Sequence, residues 1–111
     1  MSATEETSLQ VPVAIAGVSH HTATADVLER MRFPDEKAFL KEARERFRGI
    51  VLLQTCNRVE VLVHGDPESL SSFLESAGWK EYTLLAGTDA LRHLLELACG
   101  IDSMIVGEDQ I

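Results

Sequence analysis

The chain has 111 residues and a formal net charge of −8, with 45% hydrophobic and 25% charged residues. That is enough for one domain with a modest core, and the balance is that of an ordinary soluble globular protein rather than a disordered or fibrous one. No apolar run approaches the ~20 residues needed to cross a bilayer, and only Arg58, Lys80 and Arg92 follow Gly49 against ten acidic residues, so the second half is not expected to form a broad nucleic-acid groove.

The opening "MSATEETSLQ" is polar and acidic. It lacks the basic start and apolar middle of a signal peptide, which points to the cytoplasm. Residues 1–10 are expected to be a flexible leader, and residues 11–111 one domain.

"VPVAIAGVS", from Val11 to Ser19, is short, apolar and β-branched, and predicts a buried strand. A short helix follows with Val27, Leu28 and Met31 inward, and Pro34 punctuates it. Asp35 and Glu36 then suit the first turn of a second helix, where the dipole favours acids. Phe39, Leu40, Ala43 and Phe47 follow helical spacing, with charges on the other face, and Gly49 is expected to end the helix as a left-handed cap. "IVLLQ" predicts a second buried strand and "VEVLVHG" a third, with a short antiparallel connection between them. Asp66 and Pro67 open a helix whose apolar stripe is Leu70, Phe73, Leu74 and Ala77, and Gly78 stops it. "KEYTLLAG" predicts an edge-like strand. Thr88 is expected to cap a last helix with Leu91, Leu94, Leu95 and Ala98 inward and Gly100 at its end. The order gives an α+β fold: a ferredoxin-like βαββαβ sandwich with an antiparallel four-stranded sheet, helices on one face, and extra helices. The final "GIDSMIVGEDQI" resembles the start of a further helix, so the natural protein is expected to continue.

Cys56 is the first candidate for chemistry. A thiol becomes a nucleophile beside positive charge or backbone N–H groups, and Arg58 lies two residues on, on the same side if the backbone is extended. Thr55 and Asn57 offer a hydroxyl and an amide beside it. The bland alternative is a buried Cys56 and a surface Arg58. His93, set off the Leu91, Leu94 and Leu95 stripe, suits proton transfer in a cleft, or is simply half-exposed. Cys99 reads as core filler. His20 and His21 read as a polar loop, and His64 as a strand end. Ser103, Glu108 and Gln110 read as a solvated terminus or part of a polar pocket. No cluster has metal-ligand spacing, so no metal is expected.

Three segments, "GVSHHTATADVLER", "LLQTCNRVEVLVHG" and "GTDALRHLLELACGIDSMIVGEDQI", together resemble the N-terminal catalytic domain of the glutamyl-tRNA reductase family. The resemblance covers nearly the whole chain beyond the leader. Its Thr-Cys-Asn-Arg box and its Gly-x-Asp-Ser-Met-x-x-Gly-Glu-x-Gln-Ile run are each fairly specific. It implies an oxidoreductase that converts glutamyl-tRNA(Glu) to glutamate-1-semialdehyde with NADPH, the first committed step toward 5-aminolevulinate and tetrapyrroles. Cys56 would carry the glutamyl group as a thioester and His93 would act at the leaving ribose oxygen. Thr55, Asn57, Arg58, Ser103, Glu108, Asp109 and Gln110 would bind substrate, although Asp109 stands where many members have proline. The chain has no Gly-x-Gly-x-x-Gly stretch, so it is expected neither to bind NADPH nor to complete the reduction. The family's dimer contact is expected in regions beyond this chain, leaving the chain itself monomeric. From the residues alone, a non-catalytic ligand-binding module and a thiol redox switch stay open as alternatives.

Overall fold

A computed structural model of the chain describes residues 12–105, with side chains described for residues 12–99. Four strands form one sheet: β1 (Val13–Ser19), β2 (Ile50–Thr55), β3 (Arg58–His64) and β4 (Thr83–Ala86). Their order is β2-β3-β1-β4, and every neighbouring pair is antiparallel. Between β1 and β2 lie α1 (Ala25–Arg30) and α2 (Glu36–Arg44); α3 (Pro67–Ser76) joins β3 to β4, and α4 (Gly87–Ile105) follows β4. The sequence expectation of a mixed fold with an antiparallel four-stranded sheet is met, with β4 a short edge strand.

Strand alternation divides the sheet into two faces. Ala14, Ala16 and Val18 of β1 and Val59, Val61 and Val63 of β3 are all buried on one face. They join Leu28, Phe39, Ala43, Leu70, Phe73, Leu74 and Trp79 in a single core. Phe73 is its hub: its ring lies 5.6 Å from Phe39 and 5.7 Å, edge-on, from Phe47. Trp79 is buried and its indole N–H donates to the Met31 carbonyl at 3.0 Å, tying the end of α1 to the segment after α3.

The helix starts follow capping chemistry. The side chains of Thr24, Asp35 and Asp66 accept from Val27, Ala38 and Ser69 N–H respectively. Pro67 occupies the first turn of α3. Gly78, at φ 103°, ends the α3 segment in the left-handed region.

Three expectations need correction. Gly49 is not a left-handed cap: α2 ends at Arg44 with Glu45 in right-handed geometry, and the positive-φ residues described are Gly78 and Gly87. Phe47 is therefore buried beyond the helix, not on it. Gly100 does not end the last helix, which runs from Gly87 through Gly100 to Ile105 and so begins a residue before Thr88.

The largest departure is the placement of α4. Its neighbours Ile15, Leu53 and Leu62 belong to the sheet face opposite the core. The helices therefore do not share one face. Gly87, at φ 62°, makes this possible: it lets the chain leave β4 sharply and return across the other side. Ala90 of α4 is buried and His93 and Leu97 are half-buried, Leu94 flanks them along the sheet at 37% exposure, and Leu91 and Leu95 are 39% and 64% exposed. Cys99, expected in the core, is exposed.

Two measurements test this packing. Phe73→Ala is expected to lower stability by about 3–5 kcal/mol in urea unfolding, because it removes an aromatic ring from a closed core. Hydrogen bonds from the Ser69 backbone and then its hydroxyl hold Asp66 below the ordinary carboxylate range. A depressed native value means that Asp66 stabilises the fold above its unfolded pKa, and that this is lost as pH falls through the native one. The urea midpoint should therefore drop in acid, and Asp66→Ala should flatten that drop.

Candidate active site

Thr55 pairs with Arg58, so Cys56 and Asn57 alone turn β2 into β3. Two-residue hairpins usually use primed turns, which need positive φ. No non-glycine residue described here has positive φ, so this turn is unprimed. Contacts from outside and within hold it. His20 N–H donates to the Asn57 carbonyl at 2.9 Å, the Arg32 guanidinium donates to the Thr55 carbonyl, and Asn57 N–H donates to Thr55 Oγ1 at 3.2 Å. Gln54 adds a clamp, accepting from Phe33 N–H at 2.7 Å and donating to the Phe33 carbonyl at 3.1 Å. Cys56 is thus exposed on a braced tip.

The row of residues behind that tip is polar. Ser19, Arg58 and Thr55 lie side by side, and the next row is Thr83, Gly17, Glu60 and Leu53. Arg58 Nη1 donates to Glu60 Oε2 at 2.8 Å, and His93 Nε2 meets Glu60 Oε1 at 2.8 Å. The three side chains line a cavity of about 140 Å³ together with Gly17, Ser19, Thr22 and Thr83. Glu60 is 6% exposed, a buried carboxylate on a sheet face that is otherwise only partly covered.

Glu60 needs Gly17. The two are register partners, and a Cβ added at Gly17 would lie 2.7 Å from Glu60 Cγ and 3.1 Å from the Val59 carbonyl oxygen. The missing side chain is the space in which the carboxylate lies.

Beside this cavity runs a larger apolar groove of about 430 Å³ between Val51, Leu53 and Leu62 of the sheet and Leu94, Leu97 and Ala98 of α4. Among the described residues no group of three or more His, Cys, Asp or Glu could hold a metal ion, and no helix is long and apolar enough to cross a membrane.

Residues 16–111 match the family described as glutamyl-tRNAGlu reductase, N-terminal domain. The chain belongs to that family. It is 63% identical over 101 residues to glutamyl-tRNA reductase of Methanoculleus marisnigri, covering 91% of this chain and 24% of the relative. It is 64% identical over 98 residues to that of Methanoregula boonei, covering 88% of this chain and 23% of the relative. Its structure resembles that of the Methanopyrus kandleri glutamyl-tRNA reductase with a TM-score of 0.73 and 32% identity, over 90% of this chain and 25% of the other. The chain spans about a quarter of the length of the curated relatives it matches.

Of the residues singled out in the sequence, Thr55, Cys56, Asn57 and Arg58 share the hairpin tip, and His93 reaches the same end of the sheet from α4. The i,i+2 argument for Cys56 and Arg58 does not apply, because Cys56 lies in the turn and not in extended backbone. Arg58 instead points to Glu60. His93 is not off the helix stripe: it is on the sheet-facing one. Ser103 lies in α4, while Glu108, Asp109 and Gln110 fall outside the described residues. Sequence reasoning missed Glu60 and Gly17. The available signal was a glutamate set between valines in "RVEVLV".

Gly17→Ala is expected to destabilise the chain by about 1–3 kcal/mol, as overpacking does. Combining it with Glu60→Ala should recover part of that cost, since the two sites share one space. Additive losses in the double variant would separate Gly17 from Glu60.

Proposed function

We propose that this chain is the thioester-forming part of a glutamyl-tRNA reductase, built as a ferredoxin-like domain from about residue 11 onward. What carries the reading is the position of Cys56: exposed at a braced tip, one residue beyond the row that holds Arg58, with His93 at the same end of the sheet.

Cys56 Sγ attacks the carbonyl carbon of the glutamyl ester. A sulfur–carbon bond forms, the carbon–oxygen bond to the ribose breaks, and the glutamyl group stays on the protein as a thioester. His93 takes the thiol proton and returns it to the leaving ribose oxygen, so the step is proton-neutral. Arg58 grips a substrate carboxylate with its planar fork of donors. Thr55 and Asn57 flank the nucleophile, and Ser103, Glu108, Asp109 and Gln110 complete the substrate contacts. The net charge of −8 fits a protein whose main grip on tRNA lies elsewhere.

For a protein of its relatives' length we propose the family's whole reaction: NADPH-dependent reduction of glutamyl-tRNA(Glu) to glutamate-1-semialdehyde, on the route to 5-aminolevulinate and tetrapyrroles, by a cytoplasmic homodimer joined through regions beyond this chain. The described residues do not fit NADPH. The sheet is wholly antiparallel and no glycine-rich turn leads from a strand into a helix N-terminus. The chemistry assigned to this chain ends at the thioester.

Intact-protein mass spectrometry after mixing the chain with glutamyl-tRNA, without NADPH, tests the nucleophile. One glutamyl adduct is expected on the native chain, none on Cys56→Ser, and a rate about 10–100-fold lower on Arg58→Ala, the worth of a charge-assisted hydrogen bond. Because Cys56 and Cys99 are both exposed, their alkylation rates compare activation more than access, and Cys56 should react faster. An adduct that persists in Cys56→Ser, or equal slow alkylation of both thiols, would sink the assignment.

A further inference from the structure

Among the described residues Glu60 alone is both charged and buried, and the thioester step above gives it no task. Its two oxygens are divided. Arg58 Nη1 takes Oε2 and His93 Nε2 takes Oε1, each at 2.8 Å. Arginine can only donate, and a carboxylate can only accept. The ion pair with Arg58 therefore leaves Oε1 as an acceptor, and the contact with His93 requires a proton on Nε2.

We propose that Glu60 is a positioning residue that locks neutral His93 in the Nε2–H tautomer. Nδ1 then carries the lone pair, and Nδ1 is the atom that takes the Cys56 thiol proton and hands it to the ribose oxygen. The same carboxylate fixes the Arg58 guanidinium while leaving its other donors for substrate. Gly17 provides the room: with a Cβ there, Glu60 Cγ would be met at 2.7 Å and the bridge could not form as it stands. The inference rests on the thioester reading for the identity of the substrate, but the tautomer is a property of the unliganded chain.

Glutamine at position 60 gives the decisive contrast. It offers one carbonyl acceptor where Glu60 offers two oxygens. Arg58 can only donate, so it claims that acceptor. The amide NH₂ then faces His93 Nε2, which must become the acceptor, and the ring proton moves to Nδ1.

Long-range proton–nitrogen NMR on the isotope-labelled chain at alkaline pH, where imidazole is neutral, reads each ring nitrogen directly. His93→Asn assigns the signals. The native chain is expected to show protonated Nε2 and bare Nδ1, and Glu60→Gln to show the reverse. Arg58→Met combined with Glu60→Gln frees the amide oxygen for His93 and should restore the native tautomer, a rescue that a merely space-filling Glu60 would not give. Glutamyl transfer to Cys56 should be about 10²-fold slower in Glu60→Gln. A native His93 protonated on Nδ1, or one tautomer shared by native and Glu60→Gln chains, overturns the proposal. Should Glu60→Gln lose its amide dispersion and fail to fold, the native tautomer still decides. If the tautomers reverse as expected but no glutamyl adduct forms on native Cys56, the thioester reading and the proton transfer at Nδ1 fail, and the tautomer lock by Glu60 stands.

Discussion

The arrangement around β3 depends on one buried carboxylate. A charge taken out of water is costly unless it is paired and hydrogen-bonded, and Glu60 is both, through Arg58 on its own strand and His93 on α4. The pair with Arg58 is local, two residues apart on one strand face. The contact with His93 spans 33 residues of sequence and joins two elements. Removing either partner would leave a buried acceptor short of a donor, which costs far more than the net value of the bond itself. The link therefore acts as a condition on where α4 can lie.

That condition matters because apolar packing places α4 only loosely. On the core face, α1, α2 and α3, together with Phe47 and Trp79 from the segments after α2 and α3, close over six small or β-branched strand residues. On the other face, α4 leaves Leu91, Leu94 and Leu95 partly exposed and an apolar groove beside it. Hydrophobic burial is non-directional. It would tolerate α4 rotated by part of a turn, with leucines exchanged for leucines. A hydrogen bond at 2.8 Å would not. The buried polar contact thus supplies the rotational setting of the helix, and that setting is what brings an imidazole to the end of the sheet where Cys56 sits.

Elements governed by local chemistry were legible in the sequence. The cap at Asp66, Pro67 in its first turn and the stop at Gly78 all follow from nearest neighbours, and so does the strand over "VEVLVH", whereas Asp35, read as part of the first turn of α2, is its cap. Elements governed by tertiary choice were not. Gly49 and Gly100 looked like helix ends because glycine usually is one, yet α2 ends earlier in right-handed geometry and α4 passes through Gly100. Leu91 and Leu95 of α4 looked inward because leucines usually are, but the helix turns Ala90, His93 and Leu97 to the sheet and leaves those two exposed. The site was half legible. The Thr55–Arg58 box stands out because a thiol and a guanidinium are unusual at a hairpin. Glu60 does not, because a glutamate within a strand reads as solvent-facing until its distant partner is known.

The same geometry bears on the substrate role proposed for Arg58. A guanidinium carries five N–H donors in a fixed plane, and one is engaged by Glu60. In a site without Glu60 the long side chain would have to be ordered when substrate arrives, at a cost of roughly 0.5–1.5 kcal/mol in rotamer entropy. Here that ordering is met on folding. The internal carboxylate also neutralises the guanidinium partly, so it weakens the raw attraction for an anionic substrate while sharpening its geometry. Under the proposed role, in which Arg58 would hold a substrate carboxylate near the Cys56 thiol, geometry is the more valuable of the two. Charge attraction acts in any orientation, whereas attack by sulfur on a carbonyl carbon needs one.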